Sequence, residues 1–410
     1  MNGCTEGPIV IVGGGIMGCS TAYWISKIAP EKNMILIEME GIASSSSGKA
    51  GGFLARGWHG GGVTKQLHEV GFDLIEKFAI KHHLRSYRRV SMFSVDHRPN
   101  PKNEGLPWLN NKRVSYSLDD TNTAQITPKE LTESFLKYAG KNVDVKTGYK
   151  VIGVTMCTDD PKRVSSVTII DLEHGKKEYI HCGSFIICTG AWSSLVNSWF
   201  TSDIIPSLNM QGIKSTSLTY TYGNFENPGI SSEVMERVKK NPGVLFCSDD
   251  RNGCHLEVYP RPNGDIYICG CGGSPYLDED DIKDLMPKDV KPRLDKAKFA
   301  HLGFLKMTRQ AGDLVESESG DKYTDVMPDV LNACLRPMTS DGLPIMGPLV
   351  AKDGKCLKNV YVNAGHNCWG ILWSAVSGKA LAELVINGEA RCINLQPFHP
   401  SRFLRMRSYR

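Results

Sequence analysis

Residues 8–40 read PIVIVGGGIMGCSTAYWISKIAPEKNMILIEME. Ile9, Val10, Ile11 and Val12 form an apolar, β-branched run, which suits one strand buried on both faces. The run breaks into Gly13, Gly14, Gly15, Ile16, Met17 and Gly18, matching G-x-G-x-x-G at Gly13, Gly15 and Gly18. A helical stretch follows to about Ile28, with Gly15, Gly18, Ala22 and Ile25 on one narrow face that lets it lie close on a sheet. A second apolar run, Met34 to Ile37, ends on Glu38. Strand, glycine turn, helix, strand and acid in this order make a dinucleotide-binding βαβ unit. A pyrophosphate sits on the unpaired N–H groups of the helix start, which carries roughly half a positive charge. A side chain at Gly13 or Gly15 is expected to block that approach, and Glu38 can accept from both ribose hydroxyls.

The chain has 410 residues, a length that suggests about two to three domains and a large core. Its 41% hydrophobic and 22% charged residues are those of a soluble globular protein. A net charge of +4 is too small to argue for nucleic acid. Arg402, Arg405, Arg407 and Arg410 make a basic tail, read as solvated, with contact to an anionic surface as the alternative. The thirteen cysteines are odd in number, and Cys269 and Cys271 fit neither a zinc knuckle nor a redox CxxC. They read as reduced thiols of a cytoplasmic chain, with no metal site. With the first strand at residue 9, no signal or transit peptide is expected. Gly7 to Ser26 and Asn359 to Gly378 are uncharged and long enough to test as membrane spans. Their glycines and polar residues make each a buried strand running into a turn and a helix instead.

Further along, Gly41 to Trp58 holds Ala43, Ser44, Ser45, Ser46, Ser47, Gly48, Lys49, Ala50, Gly51 and Gly52. Phe53, Leu54 and Trp58 follow at once, so an ordered loop suited to phosphate and ring carbonyls is expected rather than a linker. Val63, Leu67, Val70, Leu74 and Phe78 repeat at helical spacing. Arg89 to Val95 alternates like a strand, and Asn100 to Asp120 has loop-like composition. Thr127-Pro128-Lys129-Glu130 predicts a helix start with a capping Thr and Glu. Short strands are expected at Val143–Lys146, Val151–Thr155, Val167–Ile170 and Glu178–His181. Phe185 to Cys188, ending in Thr189-Gly190, resembles the first strand and its turn. Residues 209–330 are strand-rich, with a hairpin turn at Pro260–Gly264 and a charged helical patch from Asp278 to Phe304. A final apolar strand, Val360 to Val362, leads through Gly365-His366-Asn367-Cys368-Trp369-Gly370 into a last helix.

These landmarks together resemble the FAD-dependent D-amino acid oxidase superfamily, the group of glycine oxidase, sarcosine oxidase and D-amino acid dehydrogenases. The resemblance rests on the glycine unit with Glu38, the loop Ser44–Gly52, Thr189-Gly190-Ala191-Trp192-Ser193, the run Arg336 to Pro344, and Gly365-His366. Within the group the chain is similar to the FAD-dependent oxidoreductases of yeasts and plants whose substrate is not settled. The implied fold is α/β: a Rossmann-type FAD domain assembled from residues 1–58, 121–208 and 331–395, with an interleaved β-rich substrate domain from 59–120 and 209–330. Residues 396–410 remain as the basic tail.

The resemblance implies an FAD site at Gly13 to Gly18, Glu38, Ser45 to Gly51, Val151, Thr189, Gly190, Trp192, His366, Asn367, Trp369, Gly370 and Ile371. The start of the last helix, near Gly370 and Ile371, would point positive charge at the flavin N1–C2=O edge, which becomes negative on reduction. Catalytic positions implied are Arg336, holding a substrate carboxylate, with Tyr259 and His366. Each has a plainer structural alternative: an ion pair, a core tyrosine, and packing on the flavin. Where glycine oxidase has a second arginine this chain has Cys368, followed by Trp369, which shifts the expectation toward a bulky or cyclic amine. Cys334 falls at the register where sarcosine oxidase bonds its flavin covalently, but non-covalent FAD is expected. The expected activity is oxidation of a C–N bond of a small-molecule amine or amino acid. The alternatives are a flavin-binding sensor and an NAD-linked dehydrogenase.

Overall fold

The computed structural model describes residues 7–99, 106–109, 112–200, 205–224, 230–308 and 328–405. Strand β1 (Ile9–Val12) sits inside a six-stranded sheet, next to β2 (Met34–Glu38) on one side and Ser184–Ile187 on the other, both parallel to it. Val143–Thr147 extends the sheet beyond β2, and Cys356–Ala364 and Ile345–Val350 extend it beyond Ser184–Ile187. All pairings are parallel except the last hairpin. All four residues of β1 are buried, and their alternation divides them between two cores. Ile9 and Ile11 join the helical side, whereas Val10 and Val12 join a core shared with Val151, Val154, Val167 and Ile169. That second cover is a three-stranded antiparallel sheet, Tyr149–Met156, Val164–Asp171 and Lys177–His181.

The helical cover is α1 (Ile16–Ile28), Lys65–Lys81, Pro128–Ala139 and the last helix, Gly370–Asn387. Helix α1 approaches the last helix closely. A Cβ at Gly378 would lie 2.3 Å from Ser20 Oγ, and that hydroxyl donates to the Ser374 carbonyl at 2.9 Å. Asn367–Asn387 is the one helical stretch among the described residues long and apolar enough to cross a membrane, and most of it is buried in this core.

A second, eight-stranded sheet faces the first layer. Its order runs Tyr276–Leu277, Met210–Tyr220, Ile266–Cys269, Glu257–Pro260, Val244–Cys247, Met92–Pro99 and Lys112–Leu118. Val330–Thr339 pairs antiparallel with Met210–Tyr220 along nearly its whole length.

Several expectations are corrected. Lys65–Lys81, expected in the interleaved segment, packs into the helical cover of the first sheet through Leu67, Phe72, Ile75 and Phe78, and Val63 is exposed. Helical spacing identifies an apolar face but not its partner, and here Gly71 permits the crossing, since a Cβ there would lie 2.5 Å from the Leu372 carbonyl oxygen. Residues 331–339, assigned to the FAD segments, belong instead to the second sheet. Within the stretch read as a loop, Lys112–Leu118 is a strand; residues 100–105, 110 and 111 lie outside the described residues. Pro128 does start a helix, but Thr127 makes no side-chain cap, and Glu130 accepts the N–H groups of Arg85 and Ser86 instead. The basic tail is not wholly solvated: Arg402 pairs with Asp341 at 2.6 Å and donates to the Leu343 carbonyl at 2.8 Å. Arg407 and Arg410 lie outside the described residues.

Candidate active site

A cavity of about 550 Å³ runs between the two layers, from the start of α1 to the start of the last helix. On its wall lie Gly13, Gly15, Ile16, Met17, Glu38, Ser45, Ser46, Ser47, Lys49, Ala50, Gly51, Val151, Thr189, Gly190 and Trp192. Arg336, Tyr259, His366, Asn367, Trp369, Gly370, Ile371 and Cys334 share the same wall. Gly14, Gly18 and Gly48 are not part of it. Gly14 stands behind Glu38, and a Cβ at Gly18 or Gly48 would collide with the carbonyl oxygen of Gly13 or Ala43, at 2.0 and 2.1 Å.

The glycines of the first turn therefore have separate causes. Gly13 has φ +107°, and a Cβ there would sit 2.3 Å from the Cys188 carbonyl oxygen. Its backbone, rather than room for a ligand, demands glycine. Gly15 has an ordinary φ of −78°, and a Cβ would meet only Ser47, with Oγ at 3.0 Å. Of Gly13, Gly15 and Gly18, Gly15 alone has no backbone atom in the way of a Cβ. With Gly15 at its cap position α1 has no side-chain cap from that residue, and no acid lies in its first turn; the Ile16 N–H donates to Ser47 Oγ at 2.8 Å.

Glu38 is buried and accepts the N–H of Gly14 at 2.6 Å and that of Glu40 at 3.0 Å. Burial raises its pKa against the lowering effect of those two bonds. Each oxygen keeps a further lone pair. The serine and glycine loop is held from the second sheet. Ser46 donates to the Leu335 carbonyl, Lys49 Nζ to the Ala333 carbonyl at 3.1 Å, and Tyr267 OH to the Lys49 carbonyl at 2.7 Å. The Tyr259 ring lies over Gly51, where a Cβ would come within 2.6 Å of it. Thr189 Oγ1 shares a hydrogen bond with Ser193 at 3.0 Å, and Trp192 Nε1 donates to the Leu285 carbonyl at 2.8 Å.

At the other end, His366 is buried, with Nε2 beside Ser377 Oγ at 3.1 Å and no hydrogen-bond partner at Nδ1. Burial pushes its pKa down to about 3, so the imidazole is neutral at physiological pH. The buried Oδ1 of Asn367 also lacks a partner, and this residue holds a left-handed φ of +47°. The last helix opens at Gly370 with no side-chain cap and no acid in its first turn.

This end of the cavity is aromatic. Trp369 stacks on Trp373 with centroids 5.8 Å apart, and Trp58 meets it edge-on at 6.4 Å. Trp58 also meets Phe53 at 5.4 Å and Phe246 at 5.0 Å, and Phe246 meets Tyr259 at 6.0 Å. Two opposite charges interrupt this wall. Arg336 Nε donates to Ser215 Oγ at 2.7 Å, and among the described residues no carboxylate lies within ion-pair distance of it. Glu257 Oε2 accepts from Tyr259 OH and from Cys269 Sγ, the latter at 3.4 Å. Cys334, two residues before Arg336 on its strand, is a buried thiol whose pKa burial pushes up.

Sequence reasoning missed Glu257, Phe246, Tyr267 and Ser215. Glu257 carried a signal, since it lies two residues before Tyr259 and strand alternation turns both to one face. Ser215 and Phe246 carried none, because their approach depends on sheet register. Among the described residues no cluster of His, Cys, Asp and Glu is gathered to hold a metal.

Known proteins set this geometry in context. The model of the DAO family, FAD dependent oxidoreductase, matches residues 8–384. A Schizosaccharomyces pombe protein provisionally named an oxidoreductase is 26% identical over 422 aligned residues, spanning 96% of this chain and 97% of its own. L-proline dehydrogenase from P. horikoshii superposes with a TM-score of 0.71 at 17% identity, covering 98% of this chain and 99% of that one. Glycine oxidase from Geobacillus kaustophilus does so at 0.66 and 14% identity, covering 97% and 98%. At such identities the two structures speak for the fold alone. The family match decides between a flavin and a nicotinamide cofactor. The chain belongs to the DAO family of FAD-dependent oxidoreductases: it is an enzyme, and its cofactor is FAD.

Proposed function

We propose that the protein oxidises a C–N bond of a small-molecule amine or amino acid. The residues present fit FAD along the whole cavity. Room at Gly15 admits a pyrophosphate to the helix start, at the N–H groups of Gly15 and Met17, beside the Ile16 N–H that Ser47 Oγ holds. Glu38 has lone pairs left for ribose hydroxyls, and Val151, Thr189, Gly190 and Trp192 line the nucleotide end. The loop Ser45 to Gly51 would hold the middle. Asn367, Gly370 and Ile371 would hold the flavin ring, and the orphaned polar atoms of His366 and Asn367 are groups that a bound ring would satisfy.

Bound FAD supplies a two-electron acceptor for hydride. What the chain adds is orientation and charge. The uncapped start of the last helix favours negative charge at the ring edge facing it. His366, neutral and buried, packs there and needs no role as a base. Cys334 stays protonated through burial, which favours non-covalent FAD, since the thiolate is the nucleophile. The aromatic wall excludes water and accepts a bulky substituent.

One observation carries the reading. Arg336 is a cation without a carboxylate partner among the described residues, and it lies in the same cavity as the uncapped helix start. A planar guanidinium of this kind is suited to a substrate carboxylate. A cytoplasmic location belongs to the same proposal. Anaerobic mixing of the yellow holoenzyme with a panel of amines and amino acids tests the activity. Loss of flavin colour with a member of the panel is expected, and none across the panel overturns the reading.

A further inference from the structure

We propose that Glu257 receives the ammonium group of the substrate and takes one of its protons, so that the site is built for a zwitterion. This rests on the C–N reading above and names its substrate class. The carboxylate would lie on Arg336, the amine on Glu257, and an apolar or aromatic substituent against Trp58, Phe246 and Trp369.

Glu257 and Arg336 stand on two different strands of the second sheet and line one cavity. Both act electrostatically on the same two thiols, Cys269 and Cys368, in opposite directions. Yet they form no ion pair with each other. Each is anchored by a neutral group, Arg336 by Ser215 Oγ and Glu257 Oε2 by the Tyr259 hydroxyl. Among the described residues nothing bonds Glu257 Oε1. Two part-buried charges of opposite sign in one pocket, each lacking an ionic partner, lose solvation with little in return. A ligand carrying both signs completes them together. The aromatic rings beside Glu257 also favour a cation over their faces.

The chemistry requires such a group. An aliphatic amine is protonated at neutral pH, and its nitrogen lone pair is then unavailable. An N–H bond of the ammonium breaks, and its proton forms an O–H bond at Glu257 Oε1. The freed lone pair forms the C=N bond as the Cα hydride leaves with its electron pair to the family's oxidant, FAD. The carboxyl proton then passes to water. The titratable and charged groups facing Glu257 are Tyr259, Cys269, Cys271, Cys368 and Arg336.

The test uses holoenzyme with Glu257→Gln, Glu257→Asp and Arg336→Leu. Binding of phenethylamine, an amine alone, and 3-phenylpropionate, a carboxylate alone, is read by calorimetry and by perturbation of the flavin spectrum. Glu257→Gln should weaken phenethylamine roughly ten- to a hundredfold and leave phenylpropionate unweakened, whereas Arg336→Leu should do the reverse. Glu257→Asp, which keeps the charge, should recover part of the amine affinity and serves if the Gln variant fails to hold FAD. The pH profile of anaerobic flavin reduction should shift upward in Glu257→Gln, toward the pKa of the substrate amine. Unchanged amine binding and an unchanged profile in Glu257→Gln overturn the assignment of Glu257 while the C–N reading stands. Failure of every amine and amino acid to reduce the wild-type flavin removes that reading itself.

Discussion

Substituting Gly13, Gly15 and Gly18 one at a time should separate the fold from the cofactor within a single motif. Gly13→Ala forces a side chain onto φ +107° and brings Cβ to 2.3 Å from the Cys188 carbonyl oxygen. The first effect costs about 1–3 kcal/mol and the overpacking about as much again. Their sum is a large share of the about 5–15 kcal/mol that holds a protein folded. Gly18→Ala gains about 1 kcal/mol of helix propensity but puts Cβ 2.0 Å from the Gly13 carbonyl oxygen, and the clash wins because neither backbone can yield cheaply. Gly15→Val meets no such barrier. Its φ of −78° suits any residue, and exchanging glycine for valine at a helix cap costs about 1 kcal/mol. The branched side chain would instead fill the space open to the pyrophosphate. Apoproteins should be compared by thermal melting, because bound FAD adds stability by mass action, and flavin content by the ratio of flavin to protein absorbance. Gly13→Ala and Gly18→Ala should melt far below wild type, whereas Gly15→Val should melt near it and lose its colour. A Gly15→Val protein with full flavin loading, or a Gly13→Ala apoprotein as stable as wild type, refutes the reasoning.

Arg336→Leu should raise KM for an acidic substrate about ten- to a hundredfold with the flavin spectrum intact, as expected for one lost charge-assisted hydrogen bond; an unchanged KM returns Arg336 to a structural role. Acid precipitation of the holoenzyme should leave a colourless pellet with FAD in solution, and a yellow pellet that Cys334→Ala turns colourless would establish a covalent link. His366 has a folded-state pKa of about 3 against 6.5 when unfolded, so below pH 6.5 the unfolded chain binds more protons. Its contribution to stability is present above pH 6.5 and is lost as the pH falls from there toward 3. His366→Gln should therefore show a shallower acid loss of stability over that window in apoprotein denaturation, and a slope equal to wild type would count against the buried neutral imidazole.

The nucleotide end was legible because its signals are local. Ile9 to Val12 alternates between two cores, so every position must be apolar, and Gly13 to Gly18 turn directly onto a helix start. The physical reason for the glycines was only half legible. Gly13 and Gly18 answer to backbone carbonyls brought close by packing, which no motif spells out. The helix Lys65–Lys81 showed its apolar face but not which layer would cover it. Lys112–Leu118 was too polar to read as a strand, since it closes one end of the sheet order rather than crossing the core. Thr127 and Glu130 had the residues of a capping box, yet a nearby turn at Arg85 and Ser86 claims the carboxylate. Glu257 was legible only as a face-mate of Tyr259, because an acid on a strand ordinarily points to water. Only the pairing of Glu257 with Cys269, and the arrival of Arg336 from a distant strand, turn it into a site.

Single-turnover stoichiometry tests the central claim most directly. Holoenzyme is titrated without oxygen with the compound that bleaches it, and the products are counted after the mixture is quenched. C–N oxidation predicts full loss of flavin colour at one equivalent per FAD, with one equivalent of imine or its carbonyl hydrolysis product and, for an acyclic substrate, one of released amine or ammonia. Complete bleaching without an imine or carbonyl product, or bleaching only by compounds that contain no C–N bond, would contradict it.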